Sequence, residues 1–126
     1  MNFPDNLKYT KEHEWILVEG SVGTIGITEF AQSELGDVVF VDLNTEPRGV
    51  AAGESLGSIE AVKTVSEVYA PCGGKLIEVN TELADHPELV NTDPYNAGWM
   101  LKIEIADLAE LNNLLDSAAY KAQVEG

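Results

Sequence analysis

The 126-residue chain contains one cysteine, Cys72, so it has no internal disulfide. Positive charge is also scarce, because 7 Lys and Arg residues stand against 22 Asp and Glu residues and give a net charge of -15. Such an acidic chain repels phosphates, which excludes nucleic acid and anionic membranes as electrostatic partners. Apolar runs fall well short of the ~20 residues that a membrane span needs, and the N-terminus shows no targeting pattern. These absences predict a cytoplasmic bacterial protein or, after processing, one of the mitochondrial matrix.

Motifs for catalysis and metal binding are missing too. Gly57 followed by Lys63 and Thr64 is not a phosphate-binding loop, because Val62 replaces the glycine that must precede the lysine. His13 and His86 form no His-x-x-x-His pair, and a lone cysteine makes no zinc pair. We interpret both histidines as surface or structural residues, and we expect neither an enzyme active site nor a metal site.

The pattern of the chain is mainly β. Short β-prone runs separated by glycine turns predict strands at residues 7–9, 15–18, 21–28, 37–43, 54–62, 66–69, 75–79 and 99–105. Thr28 can cap a short helix that ends at Gly36, and residues 44–49 read as a turn. One helical turn is predicted near residues 87–90. Strands at this spacing indicate a sandwich or barrel, and the chain length predicts one domain over residues 1–126.

A C-terminal helix is predicted within residues 107–122. Asp107 and Glu110 fit a capping box, with Glu110 reaching back to the first backbone amide. Apolar residues then form one stripe on the helix from residue 108 onward; they are Leu108, Leu111, Leu114, Leu115 and Ala118. We expect this helix to pack on the sheets.

Lys63 lies between two β-prone runs, so it is predicted at the tip of a hairpin. A lysine in such a place is ordinarily a solvated charge that improves solubility. Local pattern alone favours that interpretation.

The sequence around this lysine, EAVKTVSEVYAP at residues 60–71, resembles the lipoylation site of the H protein of the glycine cleavage system. The resemblance extends over nearly the whole chain. It includes the runs KY at 8–9, HEW at 13–15, GTIGIT at 23–28, AQ at 31–32, LGD at 35–37, EVN at 78–80, LVN at 89–91, PY at 94–95 and GWM at 98–100.

The resemblance implies a barrel-sandwich hybrid of two antiparallel sheets, of the lipoyl and biotinyl carrier type, with a short helix in the N-terminal half and a C-terminal helix. It also implies lipoate in amide linkage on Lys63, with Glu60, Val62 and Thr64 as flanking cofactor-site residues. Such a protein is not an enzyme. It carries the aminomethyl group of glycine from glycine decarboxylase to the aminomethyltransferase, and dihydrolipoyl dehydrogenase then reoxidises it. A lipoylating enzyme is a further implied partner.

Glu14 and Glu67 match the family positions where acids meet the amine of the loaded arm. A carboxylate near a protonated methylamine would hold it, although the two residues can equally be solvated acids at strand ends. The chain departs from the commoner family pattern at Ala61, Thr64, Val65, Cys72 and Gly73. These departures bear on how well the lipoylating enzyme recognises the site.

Three alternatives to a glycine cleavage carrier remain open at the level of sequence. A biotinyl carrier shares the hairpin but ordinarily flanks its lysine with methionines, where this chain has Val62 and Thr64. An H-like protein that relays lipoate to other enzymes keeps the same lysine. An unmodified acidic β-domain is the third alternative.

Overall fold

The structure is a computed structural model that describes residues 2–43 and 48–125. Strands and short helices alternate along these ranges. In chain order the strands are Lys8–Tyr9 (β1), Glu14–Glu19 (β2), Val22–Ile27 (β3), Val38–Leu43 (β4), Gly49–Val50 (β5), Ser55–Ala61 (β6), Val65–Tyr69 (β7), Gly74–Val79 (β8) and Leu101–Ile105 (β9). The α-helices are Glu29–Leu35 (α1), Glu82–Asp85 (α2), Leu89–Thr92 (α3) and Ser117–Glu125 (α4), and a 3₁₀ helix spans Leu108–Asn113.

The strands form two antiparallel sheets. The larger sheet has the order β1-β2-β3-β9-β8-β5, and the smaller sheet has the order β4-β6-β7. Side chains from both sheets meet in one apolar core, which includes Ile16, Ile25, Val41, Leu56, Ile59, Val68, Leu76, Met100, Leu101 and Ile103. Burial of these alternating apolar positions is the main force that holds the sheets face to face. The predicted barrel-sandwich fold of two antiparallel sheets is therefore confirmed.

Helix α1 begins and ends where the sequence predicts. The Thr28 hydroxyl accepts a hydrogen bond from the backbone N–H of Ala31 at 3.1 Å, which satisfies a donor of the first turn. Gly36 ends the helix with a φ of 77°, a conformation that glycine adopts without strain. Its backbone N–H donates to the carbonyl of Gln32 at 3.0 Å.

A C-terminal helix is present as predicted, but it begins at Ser117 and does not run unbroken through residues 107–122. The 3₁₀ helix Leu108–Asn113 comes first, and Leu115 then forms a β-bridge with Tyr9 before α4 begins at Ser117. Backbone hydrogen bonds to Tyr9 compete with helix formation at this point and interrupt the apolar stripe. Leu108 is consequently half exposed, whereas Leu111 is buried.

The predicted capping box is also wrong in its second half. The Asp107 carboxylate accepts from the backbone N–H of Ala109 at 3.0 Å, as an N-cap should. The Glu110 carboxylate accepts instead from the backbone N–H of Gly73 at 2.7 Å, so it fastens the 3₁₀ helix to the turn before β8.

Helix α4 packs through Tyr120, which is fully buried. Its ring stacks on Tyr9 at 4.6 Å between centroids. Its hydroxyl lies 2.7 Å from the Thr28 hydroxyl and 2.9 Å from His13 Nδ1, so α4 supports the N-cap of α1.

The remaining differences lie in connections. Strand β5, Gly49–Val50, falls at the end of a segment predicted as a turn, and residues 44–47 of that turn lie outside the described ranges. The connection before β9 holds two short helices, α2 and α3, where the sequence predicts one helical turn.

Candidate functional site

Lys63 lies at the tip of the hairpin formed by β6 and β7, as predicted. The tip is short because the backbone N–H of Ala61 donates to the carbonyl of Thr64 at 2.8 Å. The backbone N–H of Val62 donates to the carbonyl of Asp37 at 3.0 Å, which fixes the tip to the start of β4. The Lys63 side chain is exposed. The result is a solvent-accessible side chain on a hydrogen-bonded backbone turn.

The side chain of Asn91 in α3 holds the backbone segment to which the hairpin tip is fixed. Its side-chain amide donates to the carbonyl of Gly36 at 2.8 Å, and its side-chain carbonyl accepts from the backbone N–H of Val38 at 2.8 Å. These two bonds lie on either side of Asp37 in the chain. The carbonyl of Asp37 in turn accepts the hydrogen bond from the backbone N–H of Val62. The position of the tip therefore depends on one asparagine that is distant from it in sequence.

The aliphatic stem of Lys63 passes close to the end of α1. A Cβ placed on Gly36 would lie 3.8 Å from Lys63 Cε, which is ordinary van der Waals contact. The stem thus lies beside the end of α1, the helix that forms one side of the cleft described next.

A cleft of about 460 Å³ separates the outer edge of β7 from α1 and the start of β2. Its apolar wall contains Ile27, Phe30, Ala31, Leu35 and Val65. Its acidic side chains are Glu12, Glu14, Glu34 and Glu67, and His13, Thr64 and Ser66 complete the lining. An apolar wall with several carboxylates suits an aliphatic ligand that ends in a cation.

Glu14 is the buried acid of the cleft, with 1% of its surface exposed. Burial raises the pKa of its carboxyl group from 4.5 to about 7, because the charged form loses its hydration. Hydrogen bonds from the Thr10 hydroxyl, at 2.7 Å, and from the backbone of Tyr69 offset part of this rise. The carboxyl group is therefore poised between its two protonation states near neutral pH.

Glu67 occupies a different environment in the same cleft. It is exposed on β7, and its carboxylate accepts a hydrogen bond from the Ser55 hydroxyl at 2.6 Å. The structure thus brings together the two acids that the sequence singles out, one buried and one at the surface.

The residues that flank Lys63 have separate surroundings. Val62 has 72% of its surface exposed and points away from the core. Thr64 lines the cleft, whereas Glu60 is exposed on β6, opposite Val65 of β7 and Phe40 of β4. The three residues do not form one binding pocket around the lysine.

His13 is a cleft residue that sequence reasoning placed only as a surface or structural residue. Its backbone has a φ of 73°, and its ring packs 4.8 Å from that of Phe30. Burial lowers the pKa of the imidazole, which favours the neutral ring. A helical spacing of four residues relates Phe30 to Glu34 and Ala31 to Leu35, so the α1 side of the cleft could have been read from the sequence.

Other reactive groups contribute little. Cys72 is buried, and burial raises the pKa of its thiol to about 11, so the reactive thiolate is disfavoured. Within residues 2–43 and 48–125, no cluster of three or more His, Cys, Asp or Glu side chains is arranged to hold a metal ion. None of the helices in these ranges has the length and apolar character needed to span a bilayer.

Comparison with known proteins points in one direction. Residues 7–126 match the family described as glycine cleavage H-protein. The chain is 58% identical over 121 residues to the glycine cleavage system H protein of Symbiobacterium thermophilum, covering 96% of this chain and 94% of that protein. It is 53% identical over 126 residues to the same protein of Bacteroides thetaiotaomicron, with all of both chains covered.

A solved structure agrees with these relatives. The crystal structure of a glycine cleavage system H protein from Mycobacterium marinum superposes with a TM-score of 0.88 at 40% identity. The superposition covers 98% of this chain and 99% of that one.

Proposed function

The chain belongs to the glycine cleavage H-protein family, and we propose that it carries its lipoyl group in amide linkage on Lys63. As a member of this family it is a lipoyl carrier of the glycine cleavage system and not an enzyme. The observation that carries the assignment to Lys63 is its exposed side chain on a hydrogen-bonded turn, with its stem beside the end of α1 and its neighbour Thr64 in the lining of an acid-lined cleft.

The cleft fits an acylated lysine. Its volume of about 460 Å³ lies in the range of small-molecule sites, roughly 300–1,000 Å³. The apolar side chains of α1 and β3 offer contacts to an aliphatic arm. When bound, the lipoyl group supplies a dithiol and disulfide pair that takes up the aminomethyl group of glycine and gives it up again.

Glu14 and Glu67 are proposed to hold the protonated amine of the loaded arm. A cation beside a buried carboxyl group favours its ionised form, so Glu14 releases its proton when the amine arrives. Thr10 keeps the Glu14 carboxylate in place by its hydrogen bond. The apolar wall limits access of water to the amine and so slows loss of the cargo.

We propose that the lipoylating enzyme recognises the side chains that flank Lys63, which are those of Glu60, Val62 and Thr64. All three residues are exposed beside Lys63, and none of their side chains makes the hydrogen bonds that hold the turn. The turn itself depends on backbone hydrogen bonds of Ala61, Val62 and Thr64. Side chains at these positions are therefore free to contact an enzyme.

The protein acts together with the other components of the glycine cleavage system. We infer that these are glycine decarboxylase, the aminomethyltransferase and dihydrolipoyl dehydrogenase, with the lipoylating enzyme acting beforehand. The relatives named above come from bacteria, which supports a cytoplasmic location. A lipoate-relay protein or a biotinyl-type carrier is not favoured, because the matched relatives are glycine cleavage H proteins.

Intact mass and peptide mapping of the native protein test the site. We expect one lipoyl increment on the peptide that contains Lys63, and none on the Lys63→Arg variant. Lys75→Arg is the matched control, because Lys75 is another exposed lysine on a strand of the sheets, and it should be lipoylated normally. Modification that persists in Lys63→Arg, or a biotin increment in the native protein, would overturn the proposal.

A further inference from the structure

A chain of three hydrogen-bonded side chains connects the N-cap of α1, through α4, to the cleft. The Thr28 hydroxyl lies 2.7 Å from the Tyr120 hydroxyl, which in turn lies 2.9 Å from Nδ1 of His13. Thr28 and Tyr120 are fully buried, whereas His13 is part of the cleft lining. The C-terminal helix therefore reaches the cleft through one hydroxyl group.

The direction of each hydrogen bond follows from the available protons. The Thr28 oxygen already accepts the backbone N–H of Ala31 at 3.1 Å. Among the described residues, the Tyr120 hydroxyl is the one group left to receive the Thr28 proton, so the buried Thr28 hydroxyl donates to it. Tyr120 then donates its own proton to Nδ1 of His13. Burial raises the pKa of the Tyr120 hydroxyl to about 12, so the hydroxyl keeps this proton at neutral pH.

This order of donors fixes the protonation of His13. A ring nitrogen that accepts a hydrogen bond carries no proton, so the single proton lies on Nε2 and the ring is neutral. The backbone holds the ring in place, because the His13 N–H donates to the Thr10 carbonyl at 3.2 Å and the His13 carbonyl accepts from the Thr28 N–H at 3.1 Å. Burial lowers the pKa of the imidazole and so acts in the same direction.

The charges around His13 act in the opposite direction. The acids of the cleft come from the chain beside His13, from α1 and from β7, and they are Glu12, Glu14, Glu34 and Glu67. Glu12 and Glu34 raise the pKa of the imidazole against the effect of burial. Among the described residues that line the cleft there is no lysine or arginine, and the group that faces the ring from α4 is Tyr120. Without an opposing contact, His13 would become the cation that these acids attract.

We propose that Tyr120 is a positioning residue that holds His13 as the neutral Nε2–H tautomer and so keeps the cleft acids free for the cationic arm, an inference that rests on the proposed function. A charged imidazole at this place would compete with the amine of the loaded arm for the carboxylates and would repel that amine. Tyr120 is fully buried and does not line the cleft, so it acts through His13.

Nitrogen NMR of the unmodified protein tests the tautomer. With isotope-labelled histidine, Nδ1 of His13 should have the chemical shift of an unprotonated nitrogen at neutral pH, and Nε2 that of a protonated one. His86 is the only other histidine, so the His13→Asn variant assigns the signals. Asparagine suits this position because it tolerates the φ of 73°. A proton on Nδ1 in the wild type would overturn the inference, and this measurement requires no change at Tyr120.

Tyr120→Phe tests the role of the hydroxyl. The variant keeps the ring that stacks on Tyr9 but removes the donor to Nδ1, so it should raise the pKa of His13 by about 1 in the same NMR titration. Tyr95→Phe is the matched control, because it also removes a tyrosine hydroxyl bonded near the start of α1, and it should leave the pKa of His13 unchanged. An unchanged pKa in Tyr120→Phe would overturn the inference.

Cargo retention at two pH values separates positioning from a structural role. Release of radiolabel from the loaded, lipoylated protein should be about fivefold faster in Tyr120→Phe than in the wild type at about pH 6, and nearly equal at about pH 8, where the ring is neutral in both proteins. The ratio of the two rates cancels the titration of Glu14, which both proteins share. In a His13→Asn background, Tyr120→Phe should have no such pH-dependent effect.

The outcomes distinguish this inference from the proposed function. Lipoylated protein in which Tyr120→Phe speeds release equally at both pH values would make Tyr120 a structural residue and overturn the inference, with the proposed function intact. Wild-type protein that carries no lipoyl group on Lys63 would overturn the proposed function and the inference with it. Intact mass detects that case before any cargo is loaded.

Discussion

Glu14 and Glu67 line the same cleft, yet one carboxyl group is buried and the other is exposed. Glu14 has 1% of its surface exposed and accepts a hydrogen bond from Thr10, whereas Glu67 is exposed and accepts one from Ser55. The two carboxylates attract a nearby cation with different strength, because water screens the exposed carboxylate far more than the buried one. The two acids should therefore contribute unequally to stability and to cargo retention.

Replacement of Glu14 by glutamine should change how stability depends on pH. The Glu14 pKa is raised from 4.5 to about 7, so between these values the unfolded chain releases a proton that the folded chain retains. The free energy of unfolding contributed by Glu14 thus falls as pH rises through this window, by about 3 kcal/mol in total. Glu14→Gln should lack this fall, which urea unfolding at several pH values between 4 and 8 measures.

Glu78→Gln is the control for that experiment, because Glu78 is an exposed acid on β8. Its pH dependence should match that of the wild type. A Glu14→Gln protein whose stability falls with pH as steeply as the wild type would contradict a raised pKa at Glu14.

Cargo retention should also separate the two acids. If Glu14 pairs with the amine of the loaded arm, Glu14→Gln should shorten the lifetime of the loaded protein by roughly tenfold or more, as loss of a buried charged hydrogen bond does. Glu67→Gln should shorten it by about threefold at most, because exposed ion pairs contribute little. Release of radiolabel from lipoylated protein loaded with labelled glycine measures both rates.

Lifetimes that neither substitution alters would show that the acids are solvated bystanders. A larger effect for Glu67→Gln than for Glu14→Gln would place the amine at the mouth of the cleft. Glu78→Gln again serves as the matched control, and its lifetime should equal that of the wild type.

Asn91→Ala should loosen the tip that carries Lys63. The substitution removes the hydrogen bonds to Gly36 and Val38 and leaves two backbone groups without partners, which should cost about 2 kcal/mol of stability. Hydrogen exchange of the Val62 amide should accelerate, because its acceptor on Asp37 is no longer held from both sides. Asn96→Ala, which removes only an exposed hydrogen bond to Asp93, should do neither.

Strands and caps in this chain could be predicted from sequence because their signals are local. Thr28 and Gly36 bound α1 as predicted, since a cap depends on residues within one turn. The break between the 3₁₀ helix and α4 could not be predicted in the same way. It arises from pairing of Leu115 with Tyr9, which lies more than 100 positions away in the sequence.

In the candidate site too, some features follow from local sequence and others depend on contacts between distant segments. The place of Lys63 at a hairpin tip follows from the β-prone runs around it, and the interest of Glu14 and Glu67 came from resemblance to a family. Burial of Glu14 and the support of the tip by Asn91 depend on contacts between distant segments. No local pattern encodes either of them.

Gly57→Ala should destabilise the hairpin strand β6. Gly57 has a φ of 153°, and a Cβ there would lie 2.3 Å from the carbonyl oxygen of Asp42 in β4. The atoms in the way are backbone atoms of β4, which cannot rotate aside as a side chain can, so we expect a loss of about 3 kcal/mol of stability. Gly53→Ala is the matched control, because Gly53 has a φ of 83° but no atom within 4 Å of an added Cβ. It should cost only the backbone strain of roughly 1 kcal/mol, and equal losses in the two variants would show that β4 and β6 do not approach as closely as the structure indicates.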